Sequence, residues 1–372
     1  MPSPLLKEKS RKLLSAAGIT INGDQPYDIV IHDERLYRQV FLGGSLALGE
    51  AYMDGWWDVE RLDKFFTKVL AAGLRTKVGR FRSVLQSAAH ILFNRQSIRR
   101  AFEVGERHYD IGNDLYVAML DKRMTYTCGY WDKANTLDEA QEHKLDLICR
   151  KLGLRPGQNI LDIGCGWGSF AKFAAEKYGV SVTGVTISKE QAALARKLCE
   201  GLPVEIILTD YRNIEGMFDH IVSVGMFEHV GYKNYRTYME VAERHLKDGG
   251  LFLLHTIGGN TSIVATDPWI DRYIFPNGML PSIRQIGGAI EGLFVMEDWH
   301  NFGPDYDKTL MAWHRNFNEH WPELQAAYDE RFFRMWNYYL LLCAASFRAR
   351  QNQLWQIVLS KKGVPGGYTT VR

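Results

Sequence analysis

From about Leu137 onward, the hydrophobic positions fall into short β-rich runs separated by stretches with helical spacing. The runs predict strands over 159–163, 180–185, 204–208, 220–224 and 251–255. Helical patterns over 139–152, 188–199 and 233–246 lie between several of them. Strands alternating with helices in this way are expected to build an α/β fold around an open, doubly wound parallel sheet. After Gly258 the pattern predicts a longer insertion, an edge strand near Phe294, two aromatic-rich helices and a final strand over 353–359.

Residues 1–74 have a different pattern. Possible strands at 19–22 and 27–32 precede helical spacing up to Leu74, punctuated by Gly43-Gly44 and Asp54-Gly55. This predicts a smaller mixed α+β domain, and GEAYMDGWW shows no nucleophile–base arrangement. An accessory role in dimerisation or lipid capture is the expectation there. Residues 75–100 form a third segment, in which Arg75, Lys77, Arg80, Arg82, Arg95, Arg99 and Arg100 occur without an intervening acid. Val78, Phe81, Leu85, Ala88 and Leu92 recur at helical spacing among them. Such a helix can lie on an anionic membrane surface, or pack on the core as an interdomain linker with a solvated basic face. Residues 101–372 are then expected to be the catalytic domain.

Composition narrows the class. The 372 residues are 46% hydrophobic and 24% charged, which describes a globular chain with a real core. A formal net charge of +2 does not by itself call for a nucleic-acid partner. The five cysteines, Cys128, Cys149, Cys165, Cys199 and Cys343, include no CxxC pair, so neither a disulfide framework nor a metal site is expected. The N-terminus lacks an uninterrupted apolar h-region, and the apolar stretch near 338–345 is too short to span a bilayer. The expectation is a cytoplasmic protein whose membrane contact is peripheral, at the inner face of the cell membrane.

The run ILDIGCGWGSF places Asp162, Gly164, Gly166 and Gly168 at the end of the first predicted strand of the sheet and the start of a helix. Glycines there allow a tight turn and a close approach to a ligand. A dinucleotide site calls for an acid or arginine about 20 residues beyond the glycines, whereas GVTISKEQ offers Thr186. Asp162 and the Asp210-Tyr211-Arg212 step resemble a class I methyltransferase with a Rossmann-like sheet. That resemblance implies S-adenosylmethionine as cofactor, with Asp162 and the glycines at its methionine and ribose parts. Thr186 and Gln191 would face ribose and adenine, and Tyr211 would flank the adenine. A glycine-rich turn with no ligand is the plainer alternative.

The segments ERHYDIGNDLYVAMLDKRMTYTCGYW, GCGWG, MFEHVG and LLHTIG occur in an order that resembles the cyclopropane fatty acid synthase family, which includes the mycolic acid cyclopropane synthases. The likeness extends over nearly the whole chain, including an N-terminal domain that the shorter mycolic acid enzymes lack, and so implies a phospholipid substrate. It implies transfer of a methylene group to the cis double bond of an unsaturated acyl chain, and a homodimer. It also adds Tyr126, Thr127 and Arg212 to the cofactor site. An alkene attacking a sulfonium methyl leaves a carbocation, so the pocket must be dry and must offer a base for one methyl proton. The family implies bicarbonate as that base, held at positions matching Cys128, Glu228, His255, Ile257 and Tyr306, with Cys128 and Ile257 acting mainly through backbone amides.

Each residue also has a plainer reading. Cys128 resembles a small buried thiol, Glu228 an acid at a helix start, His255 a satisfied structural histidine and Tyr306 a packed ring. For His229 two readings stay open, orienting Glu228 or facing solvent. RFFRMWNYYLLLCAASFRAR has the spacing of core residues and would line an acyl tunnel only in a lipid enzyme. The rival functions are a same-family methyltransferase that closes no ring and a non-catalytic lipid-binding protein. A nucleic-acid methyltransferase is disfavoured by the lack of an Asn-Pro-Pro-aromatic motif.

Overall fold

The computed structural model describes residues 4–74 and 112–372. The basic segment 75–100 and the first part of the ERHYDIG motif lie outside the described residues. The chain divides into two compact units, one of Met1–Phe93, Ala265–Pro276 and Tyr306–Asn352, the other of Asn94–Val264, Asn277–Asp305 and Gln353–Arg372.

In the first unit, β1 (Val30–Ile31) pairs antiparallel with β2 (Trp57–Asp58). The expected strands at 19–22 and 27–32 shrink to this short ladder and one bridge, Ile21 to Ile29. Side chains take over the backbone bonding: Asp28 accepts the amides of Thr20 and Gln25, and Asn22 Oδ1 accepts that of Ile31. The helix Arg35–Met53 breaks at Gly44, whose φ of 61° and ψ of −137° few side-chain-bearing residues tolerate. The helix Glu330–Arg348 packs on Leu62–Ala71 and on Arg35–Met53. Tyr338 lies 4.9 Å from Phe66 and 4.4 Å from Trp269 between ring centroids, and Arg348 pairs with Asp63 and Asp307. The aromatic stretch is therefore core, with Trp336, Leu340 and Ala344 fully buried. These C-terminal rings complete the core of the N-terminal helices within this unit.

The second unit holds a seven-stranded sheet in the order β5-β4-β3-β6-β7-β9-β8. Its strands are β3 (Asn159–Ile163), β4 (Ser181–Thr186), β5 (Val204–Leu208), β6 (His220–Val224), β7 (Leu251–Gly259), β8 (Val295–Asn301) and β9 (Asn352–Ser360). The pairs β3/β4, β4/β5, β3/β6 and β6/β7 are parallel, and β8 pairs antiparallel with β9 at the edge. Successive side chains alternate between faces: Ile160, Val182, Val222 and Leu253 enter one core, Leu161, Val185, Ile221 and Phe252 the other. From β3 the chain winds outward to β5, then returns to the other side of β3 with β6. The gap beyond the carboxyl ends of β3 and β6 is thus the topological switch point, where ligands of such sheets bind. The doubly wound α/β fold follows the expected strands closely.

Candidate active site

The turn after β3 is built by glycines. The amides of Gly164 and Cys165 both donate to Val185 O, and Gly164, Gly166 and Gly168 have φ of 85°, 55° and 81°. A Cβ on Gly164 would stand 2.5 Å from Met226 Cγ, so this position admits no side chain. A Cβ on Gly166 would meet nothing nearer than Gln191 Nε2 at 4.0 Å, which leaves open space at the middle of the turn. Asp162, 2% exposed and the penultimate residue of β3, has one carboxylate oxygen, Oδ2, lacking a hydrogen-bond partner among the described residues. Burial pushes its pKa up to about 7, and the Lys144 ammonium opposes that rise.

Thr186 closes β4, and its hydroxyl donates to Gln191 Oε1 at 3.1 Å. Gln191 sits in the first turn of the helix Lys189–Leu198, which Ser188 caps by accepting the Gln191 amide. Asp210 caps the short 3-10 turn Tyr211–Asn213 and binds Arg212 bidentately, at 2.7 and 2.8 Å. Arg212 lies over the buried Tyr211 ring at 5.0 Å, and burial raises the Tyr211 pKa to about 12. On another side, Tyr126 meets Tyr116 edge to face at 5.1 Å, and Tyr116 lies 4.9 Å from Trp167 of the glycine turn. Thr127 Cγ2 would be 2.6 Å from a Cβ on Gly225, so the 126–128 segment abuts the end of β6. Asp162, Thr127 and the residues after β6 are thereby gathered at the switch point.

Glu228 follows β6 in the 3-10 turn Phe227–His229, its carbonyl accepting the Met279 amide at 2.8 Å. Its Oε1 accepts the Ile257 amide at 2.7 Å, whereas Oε2 is buried without a partner among the described residues. Burial raises its pKa to about 7. The backbone amide that the family likeness gives to bicarbonate is therefore already donated to the carboxylate, and Ile257 first of all aims Glu228. His255, in β7 and 1% exposed, is held neutral because burial, with nearby Lys144, Lys151 and His300, drives its pKa far down. The Gln356 Nε2 amide faces its Nδ1 at 3.3 Å. The neutral ring carries one proton, and its Nε2 is buried without a partner among the described residues. Burial likewise lowers the His229 pKa to about 4, so it is neutral near pH 7.

Cys128 is fully buried and its thiol donates to Gly129 O at 3.2 Å, the environment of a small core residue rather than a nucleophile. Tyr306 belongs to the first unit, on the helix Pro304–Leu324, with Phe347 at 4.6 Å and Trp313 at 6.0 Å. Three polar residues absent from the sequence expectations also belong here: Gln141, Lys144 and Gln356, all fully buried. Gln141 and Lys144 carried a readable signal, since they occupy positions in register with Leu137, Ile148 and Leu152 on the apolar stripe of the helix Leu137–Leu152. Nothing in β9 marked Gln356 beyond its place in an apolar strand.

A buried acid with an unsatisfied oxygen, set under an open glycine turn at a switch point, fits a ligand that brings its own hydrogen-bond donors, as the amino and hydroxyl groups of S-adenosylmethionine do. Fold and site define a class I methyltransferase, an enzyme that uses S-adenosylmethionine. The chain belongs to the mycolic acid cyclopropane synthetase family, whose model matches residues 96–357. It is 56% identical over 364 residues to the cyclopropane-fatty-acyl-phospholipid synthase of Escherichia coli (strain K12), covering 98% of this chain and 95% of that one. Tuberculostearic acid methyltransferase UfaA1 of Mycobacterium tuberculosis is 34% identical over 358 residues, 89% of this chain and 82% of its own. Among solved structures, the cyclopropane synthase MmaA2 from Mycobacterium tuberculosis superposes with a TM-score of 0.66 at 34% identity, over 70% of this chain and 98% of its own. Mycolic acid cyclopropane synthase CmaA1 complexed with SAH and CTAB has the same TM-score at 33% identity and the same coverage.

Proposed function

We propose that this enzyme converts the cis double bond of an unsaturated phospholipid acyl chain into a cyclopropane ring. The observation that carries the proposal is that Glu228 Oε2 and His255 Nε2 are both buried near the switch point without a partner among the described residues. A methylated alkene is a carbocation that must lose a proton whatever the product, and ring closure takes that proton from the new methyl itself, so an acceptor held beside the transferred methyl supports ring closure. The name and near-complete coverage of the Escherichia coli relative support the same substrate class.

When bound, S-adenosylmethionine supplies an electrophilic methyl group. Asp162, the glycine turn, Thr186 and Gln191 hold it, with Tyr211 and Arg212 on the adenine side and Tyr126 and Thr127 opposite. Attack by the alkene leaves a positive charge on the acyl chain, and the buried site keeps water from it. One proton must then leave the new methyl, its C–H electrons forming the second carbon–carbon bond. Bicarbonate would supply a base for this proton, and His255 Nε2 and Glu228 Oε2 are the groups that would hold it. Cys128 is assigned to the same anion by the family likeness. Glu228, with its pKa near 7, keeps a proton-exchanging group beside that position at working pH.

Phospholipid substrates place the enzyme at a membrane. Among the described residues no helix is long and apolar enough to cross one. The basic run at 75–100 supports a peripheral seat on the anionic inner face of the cell membrane, from the cytoplasm. A homodimer, joined with the help of the N-terminal segment, completes the proposal. The deciding experiment supplies methyl-labelled S-adenosylmethionine and vesicles of monounsaturated phospholipid, and reads the labelled lipid by mass and proton spectra. A cyclopropane product confirms the assignment. A branched methyl or exomethylene product overturns ring closure, and an unlabelled lipid overturns the substrate class.

A further inference from the structure

The segment that carries Tyr126, Thr127 and Cys128 has no regular secondary structure, yet it is fixed from below by one helix. Gln141 Nε2 donates to two of its carbonyls, Thr127 O at 2.7 Å and Thr125 O at 3.3 Å. One turn further, Lys144 Nζ donates to Thr127 Oγ1 at 2.7 Å. Residues three apart on a helix share a face, so one rigid element sets both contacts. The helix is firmly begun by a capping box between Thr136 and Glu139 and ended at Gly153, whose φ is 61°.

Neither residue is a cheap structural choice. Both are fully buried, and an ammonium removed from water costs several kcal/mol unless charge and hydrogen bonds compensate. The acids whose charge acts on Lys144 are Asp121, the Cys128 thiol and Asp162, and Lys144 in turn acts on His255. Asp121 is itself occupied, accepting the amides of Arg123 and Thr125. Asp162 is the group left with an unsatisfied oxygen. Lys144 is the cation that acts on it, and the Asp162 charge in turn acts on Cys165, Cys199 and Tyr238.

We propose that Gln141 and Lys144 are positioning residues of the methyl-transfer site: Gln141 fixes the backbone at 125–127, and Lys144 tethers the Thr127 hydroxyl. The proposal rests on the reading of Asp162 and Thr127 as cofactor contacts. It makes the helix Leu137–Leu152 the frame that couples two walls of the cofactor site. Burial lowers the pKa of Lys144 itself to about 8, and while protonated it opposes the rise of the Asp162 pKa, so without it the protonated form of Asp162 would persist to higher pH. Binding that requires the carboxylate would fade at correspondingly higher pH.

The test uses the full-length enzyme and titrates S-adenosylhomocysteine binding by calorimetry from about pH 6 to about pH 9, alongside kcat and KM on phospholipid vesicles. Lys144→Met is expected to weaken binding at least tenfold at pH 7, with affinity recovering as pH rises and a midpoint above that of the wild type. Thr127→Val keeps the charge and removes the tether. It is expected to lower kcat about tenfold while leaving the pH midpoint of binding in place, and Gln141→Leu is expected to behave as Thr127→Val does. A folded Lys144→Met with wild-type affinity and midpoint overturns the charge role, and wild-type kcat in both Thr127→Val and Gln141→Leu overturns the tether. Should Lys144→Met not fold, a Thr127→Val or Gln141→Leu variant with wild-type kcat still overturns the proposal. Failure of the wild-type enzyme itself to bind S-adenosylhomocysteine would instead refute the reading of the cofactor site on which it rests.

Discussion

Glu228 and Ile257 share one short hydrogen bond, the Ile257 amide donating to Oε1 at 2.7 Å, which leaves Oε2 of the same buried carboxylate unsatisfied. One oxygen is therefore a structural anchor, and the other is available for chemistry. A helix-start acid has its carboxylate directed at its own helix; this one is directed at the neighbouring strand β7.

Replacement of Glu228 by Gln retains an oxygen for the Ile257 amide and removes the ability to exchange a proton. General acid–base groups contribute roughly 10²–10⁴-fold. Turnover on monounsaturated vesicles should fall by about that factor, with S-adenosylhomocysteine affinity within about threefold of the wild type. Unchanged turnover would remove Glu228 from the proton-transfer step.

The same carboxylate links pH to stability. Its pKa rises from 4.5 to about 7 on folding, so the folded state holds the proton more tightly. The resulting stabilisation is complete below about pH 4.5 and is lost as pH rises toward about 7. At 1.36 kcal/mol per unit this contribution is on the order of 3 kcal/mol. Without ligand, urea unfolding at about pH 5 and about pH 8 should show the wild type losing that much more stability than Glu228→Gln. Parallel pH curves for the two proteins would mean that the carboxylate titrates as it would in water.

Two glycines of the turn should fail in different ways when changed to alanine. At Gly164, positive φ is compounded by the Met226 side chain 2.5 Å from the added Cβ, so the variant should lose about 2–4 kcal/mol of stability. At Gly166 the φ of 55° adds only about 1 kcal/mol of strain, while the new methyl enters the open side of the turn. Gly166→Ala should melt near the wild type and bind S-adenosylhomocysteine at least tenfold more weakly. Equal melting temperatures for the two variants would contradict this division.

The basic segment makes an electrostatic prediction. Each cationic side chain near an anionic leaflet contributes about 1 kcal/mol, screened by salt. Replacing Arg75, Lys77 and Arg80 together by Glu should lower sedimentation with phosphatidylglycerol-containing vesicles at least tenfold at low salt, and less at high salt. Equal binding of the wild type to neutral and anionic vesicles would remove charge from membrane recognition.

The sequence by itself determined the local matters. The alternation of strands and helices was legible because side-chain periodicity is a property of adjacent residues: the expected β3, β5 and β6 have the observed bounds, and β4 and β7 differ at their ends. The glycine turn after β3 was legible because turn chemistry leaves a short motif, whereas His255 stood out only through the family resemblance and lies within β7 rather than at its end. Tertiary structure decided what depends on partners distant in the chain. It gave the Ile257 amide to Glu228 across 29 residues and the Gln356 amide to His255 across 101. It also grouped the aromatic helix Glu330–Arg348 with the N-terminal helices, which no local pattern encodes. Gln141 and Lys144 show why: a polar residue on an apolar stripe signals a buried partner, but the identity of that partner is set only when the 125–127 backbone folds onto the helix.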